Sequence, residues 1–104
     1  MTTFDDRERA AEAKFVHDEE FEFRVIARRH KLLGLWAAEI LGRKGADAQS
    51  YALEVVKADF AEAGHEDVVR KVAADLTGLA TADEIRARME ALGPVARQQL
   101  QNEG

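Results

Sequence analysis

The strongest pattern along the chain is a helical repeat of apolar positions after residue 21. Val25/Ile26, Leu32/Leu33, Trp36/Ala37 and Ile40/Leu41 recur at spacings of three, four and seven, which places them on one broad face of an α-helix. Trp36 falls on that face and is read as a core residue rather than a contact. The alternation Phe21, Phe23, Val25 has the period of a strand, but no second strand follows to pair with it, so a helix is expected there too. Upstream the stripe thins to Phe4, Ala11 and Phe15, with Thr3 as an N-cap and Asp6 three residues on, where a carboxylate meets the positive helix end. So narrow a stripe cannot hold a helix against a core, and a helix that short is marginal alone in water. Between the two stretches, His17-Asp18-Glu19-Glu20 puts polar side chains on every side, and a hinge is expected there.

Gly42 and Gly45 predict the stop of the long helix, because glycine takes the left-handed conformation cheaply. Asp47 is then the expected cap of a second helix that buries Ala52, Leu53, Val56, Phe60 and Ala63, with Tyr51 at its edge and Gly64 at its end. His65-Glu66-Asp67 opens a third, with Val68, Val69, Val72, Ala73 and Leu76 inward and Gly78 closing it. Thr81-Ala-Asp-Glu84 is a capping box, in which hydroxyl and carboxylate each satisfy an otherwise orphan amide. Ile85, Met89 and Leu92 face inward after it, and Gly93-Pro94 is expected to kink or break this last helix. The final turn, residues 98–104, is expected to fray. Short connections make successive helices antiparallel neighbours. The fold class is therefore all-α: a compact antiparallel four-helix bundle, residues 19–104, preceded by a mobile or conditionally helical arm, residues 1–18.

Composition supports this. One proline and 19 alanines in 104 residues favour helices, and 46% hydrophobic content suffices for a core. The net charge of −5 argues against nucleic acid or an anionic membrane as partner. The absence of cysteine excludes disulfides and thiolate metal sites and fits a cytoplasmic setting. Neither a signal peptide nor an apolar run of membrane-spanning length is expected. The charge is segregated. Residues 5–22 hold eight acids and three bases, a net −5, whereas Arg24, Arg28, Arg29 and Lys31 make residues 24–31 +4.

Chemistry is sparse. The glycines have neither the spacing nor the strand of a dinucleotide or phosphate loop, and Ser50 stands alone without an exposed turn. His17 and Glu20 at i,i+3 are too few ligands for a metal site, and no metal is expected. His30 and His65 read as surface residues. No catalytic residue is named, and the chain is read as non-enzymatic. Two binding readings remain. Arg28, Arg29 and Lys31 form a basic run able to hold an anion such as the phosphate of an adenine nucleotide. Phe4 and Phe15, on a segment with no core to bury them, suit apolar anchors for helix-in-groove recognition.

Four stretches carry a resemblance: Met1-Thr-Thr-Phe-Asp-Asp-Arg-Glu-Arg9, Glu12-Ala-Lys-Phe-Val-His-Asp-Glu-Glu20, Ala27-Arg-Arg-His-Lys-Leu-Leu-Gly-Leu-Trp-Ala-Ala-Glu39 and residues 51–59. Over nearly its whole length the chain resembles the zeta subunit of alphaproteobacterial F-type ATP synthases, a small inhibitor of the catalytic head. Only the Gly93-Pro94 step departs from the continuous last helix expected of that family. The resemblance implies a four-helix fold whose amino-terminal segment enters an interface between alpha and beta subunits and blocks rotation in the hydrolysis direction. The partners implied are the alpha, beta and gamma subunits, with no direct membrane insertion; the place implied is the cytoplasm, peripheral to the inner membrane through the synthase. Phe4 and Phe15 would then be the anchors, and Asp5, Asp6, Arg7, Glu8, Arg9, Glu12 and Lys14 the polar contacts. No cofactor is required on this reading. The rivals are a helical sensor binding adenine nucleotide weakly at the basic run and a weakly inhibitory accessory subunit or scaffold.

Overall fold

Among the described residues the computed structural model has four helices: α1 (Thr3–Ile40), α2 (Ala46–Ala58), α3 (Glu66–Asp75) and α4 (Ala82–Glu103). The structure describes residues 3–59 and 65–103, with side chains from residue 19 onward. α1 is the spine. α2 and α4 both lie antiparallel to it: Gly34 meets Ala52 and Val55 on one side, while Arg88 stacks over Trp36 and Arg28 reaches Gln99 and Glu103 on the other. α3 closes the bundle between α2 and α4.

The expected hinge at residues 17–20 is not a break. α1 runs through it as one helix of 38 residues, about 57 Å at 1.5 Å per residue, in a molecule whose longest dimension is 64 Å. Side-chain polarity decides which face a helix buries. It does not interrupt the backbone ladder, and the first glycine of α1 is Gly34. At the other end Gly42, at φ 79°, closes α1: its N–H donates to Glu39 O at 3.1 Å and that of Arg43 to Ala38 O at 2.9 Å, the paired bonds of a Schellman motif.

The core is Val25, Leu33, Ala37 and Ala38 from α1, Tyr51, Ala52 and Val55 from α2, Val68, Val69, Val72 and Leu76 around α3, and Ile85, Met89 and Ala96 from α4. Trp36 is half-buried against it. The α2 stripe is turned from expectation toward Tyr51 and Val55, and Val56 is only half-buried. Tyr51 and Val55 are buried, whereas Leu53 is 53% exposed. Tyr51 is drawn inward because its hydroxyl donates to Asp75 Oδ2 of α3 at 2.8 Å, so the phenol is satisfied while its ring is buried. α2 begins at Ala46 after Gly45, without a side-chain cap from Asp47, which sits in the first turn. It ends at Ala58 with Asp59 as C-cap, so Phe60, Ala63 and Gly64 lie outside the described residues.

The capping box is present: Glu84 N–H donates to Thr81 Oγ1 at 3.1 Å and Thr81 N–H to Glu84 Oε1 at 3.3 Å. The Gly93-Pro94 step, expected to kink or break the helix, does not break it: α4 is continuous from Ala82 to Glu103, its last described turn included. A residue before proline leaves the helical region because its Cβ crowds the proline ring. Gly93 has no Cβ. Its Cα side is filled instead by the Arg29 stem, whose Cδ lies 4.0 Å from where a Cβ would stand.

Candidate functional site

The nine expected partner-binding residues, Phe4, Asp5, Asp6, Arg7, Glu8, Arg9, Glu12, Lys14 and Phe15, all fall on the first turns of α1. Their side chains lie outside the described residues. Among those described, the first ties from α1 to α4 are Glu22, 2.7 Å from Arg97 Nη2, and Phe21, whose ring lies 5.7 Å from the Arg97 guanidinium.

The basic run is divided among three surroundings. Arg28 donates through Nη1 and Nη2 to both Glu103 oxygens at 2.8 and 2.9 Å and through Nη1 to Gln99 at 2.9 Å. That fork holds the last turn of α4. The hydrogen bond to Glu103 raises the Arg28 pKa and lowers that of its partner. Lys31 is exposed and borders a hollow with Gln49, Ala52, Leu53 and Val56. Arg29 turns toward α3 and α4, where it lines a cleft of about 240 Å³ with His65, Glu66, Val69, Arg86, Met89 and Glu90. Its Nε and Nη2 are buried without a hydrogen-bond partner. Burial lowers its pKa, against the pull of Asp59.

Beside Arg29 is a constellation that the sequence reading passed over. His30, expected at the surface, is 1% exposed. Its Nδ1 faces Asp59 Oδ2 at 3.6 Å, its Nε2 is buried with no partner, and its ring meets that of His65 edge-on, centroids 4.9 Å apart. His65 Nδ1 lies 3.1 Å from Asp59 Oδ1. Burial first, opposed by Asp59 and reinforced by Arg29 and His65, pushes the His30 pKa down to about 4, so the imidazole is neutral near pH 7. An unpaired buried polar group of this kind costs about 1–3 kcal/mol. The sequence held a signal: His30 stands four residues after Ile26 and three before Leu33, on the buried stripe itself. Asp59 and His65 gave none, because only the packing of α1 on α2 brings them to it.

This all-α architecture has its polar residues arranged for tying helices together, with its long first helix leading into the bundle. The sequence model for ATPase inhibitor subunit zeta matches residues 1–99, and the chain belongs to that family. A solution NMR structure is 57% identical, with a TM-score of 0.76 over 80% of this chain and 98% of that one. No curated protein matches. Membership supports an inhibitory regulatory role in association with ATP synthase. Among the described residues no helix is long and apolar enough to cross a membrane.

Proposed function

We propose that this chain inhibits ATP hydrolysis by the F-type ATP synthase, with residues 1–18 entering an alpha/beta catalytic interface and the bundle, residues 19–104, stopping outside it beside gamma. The supporting observation is the family match over residues 1–99, which spans arm and bundle alike. The continuity of α1 adds to it: an element already helical at residue 3 suits docking by one face into a groove. Phe4 and Phe15 supply the apolar anchors, and Asp5, Asp6, Arg7, Glu8, Arg9, Glu12 and Lys14 the charged contacts. The subunit performs no chemistry of its own, and it works in the cytoplasm, held at the inner membrane through the synthase.

The test is ATP hydrolysis by the cognate catalytic head with the full chain and with a chain starting at Val16. Inhibition by the first alone, with the helical circular dichroism of the bundle retained in both, supports the arm. Equal and negligible effects overturn it. Phe4→Ala with Phe15→Ala is expected to weaken inhibition at least ten-fold, as loss of anchors does.

A second reading rests on Arg29. Its unpartnered N–H groups beside the cleft suit an oxyanion, and weak binding of an adenine nucleotide there predicts amide shifts around residues 28–31 and Arg86 on addition of ADP. Arg28 and Lys31 would contribute through their charge, each from its own side of α1.

A further inference from the structure

His30, Asp59 and His65 come from three elements: His30 from the middle of α1, Asp59 from the C-cap of α2 and His65 from the N-cap of α3. One ligand atom from each can be chosen so that all lie within 4.8 Å of one another. We propose that they form a binding site for a divalent transition-metal ion, zinc in the first instance, which fastens α1 to the junction of α2 and α3.

Hydrogen bonding explains only part of the cluster. Asp59 and His65 satisfy one another at 3.1 Å. His30 is left over: it is buried, and its Nδ1, the ring nitrogen that faces the carboxylate, stands 3.6 Å from it, beyond direct hydrogen-bond reach. An apolar side chain would fill that space without leaving polar atoms unpaired. A neutral imidazole turned toward a carboxylate and a second imidazole is, by contrast, a ligand in its binding form. Two histidines and one carboxylate make the donor set of open zinc sites and of the facial triad, with remaining positions for water.

Zinc bonds of about 2.0–2.1 Å put tetrahedral ligands about 3.3 Å apart. The group therefore closes by about 1.5 Å at its widest, a movement within reach of side-chain torsions at Asp59 and His65, both at helix ends. His30, on the packed helix, is the fixed ligand. The charges that act on it are Asp59 and Asp67 against Arg29 and His65, and with His65 neutral as a ligand the three remaining formal charges sum to one negative, which favours a cation.

The experiment uses the full, untagged chain and ZnCl₂, with CoCl₂ as an optical probe and MgCl₂ as the oxygen-preferring control. One zinc per chain is expected, with a rise in Tm and a Co²⁺ visible spectrum, and with Mg²⁺ inert. His65→Gln and Asp59→Asn, both at half-exposed positions, are expected each to weaken zinc at least ten-fold. His17→Gln, which removes the chain's remaining histidine, is expected to leave binding intact. Because His30 variants disturb the core, His30 is read directly: zinc must move its imidazole nitrogen resonances together with those of His65. The proposal is overturned by the absence of 1:1 binding below about 0.1 mM zinc, by undiminished binding in either site variant, by loss in His17→Gln, or by His30 resonances that stay in place.

Discussion

Gly34 allows α1 and α2 to touch. A Cβ built on it would lie 2.6 Å from Ala52 Cα and 3.2 Å from Val55 Cβ, and the first of these is backbone that cannot rotate away. Gly34→Ala gains up to about 1 kcal/mol in helix propensity but must push two helices apart, which costs about 1–3 kcal/mol or more. A net fall in Tm is expected by thermal melting, and a rise would mean that the interface yields freely. Tyr51 and Asp75 make a second single-residue contact. Burial works to raise the Asp75 pKa, but hydrogen bonds from Lys71 and Tyr51, joined by the charges of Lys71 and Arg43, outweigh it and hold it below its ordinary 3.8. The carboxylate thus contributes stability that is present above about pH 4 and lost as pH falls through the lower folded-state value. Asp75→Asn is expected to lower stability at neutral pH and to reduce its acid dependence below about pH 4, read by urea melts at descending pH. None of these partners was legible beforehand. Nothing in the residues around Gly34 marks a helix crossing, and on alanine-rich α2 the apolar period fits two adjacent faces, so Leu53 was as good a core residue as Val55 until Tyr51 found Asp75.

The helices themselves were legible where local chemistry decides them. The Thr81–Glu84 box, the Gly42 stop and the valines of α3 follow from bonds within a few residues. The misread elements are those in which a polar cluster or a proline was given authority over the backbone. Residues 17–20 stay helical, and Gly93 lets Pro94 sit inside α4. Proline nonetheless supplies no N–H for the Glu90 carbonyl. Pro94→Ala restores that bond at an exposed position and is expected to raise Tm, by the equivalent of about 1–3 kcal/mol less the entropy gained by the unfolded chain. Arg28→Ala is expected to act differently. Its contacts with Gln99 and Glu103 are partly exposed, so global stability should change by less than about 1 kcal/mol, while hydrogen exchange of the amides in residues 97–103 should accelerate.

For the whole molecule, the all-α class and its four-helix packing could be read from hydrophobic stripes of helical period, broad in α1 after residue 21. The His30–Asp59–His65 constellation could not, because its members are joined only by tertiary packing. What the stripes do not convey is how the start of α1 connects to the bundle, and that is a mechanical matter. With no joint between residue 3 and residue 40, α1 is a shaft clamped along its second half by α2 and α4. From Thr3 to Phe21, where the first described tie to α4 occurs, the shaft is about 27 Å long. A sideways load at its tip reaches the clamp as torque. That torque is shared between the buried contacts of α1 with α4 and the ion pairs nearest the clamp's mouth, Glu22 with Arg97 and Arg28 with Glu103.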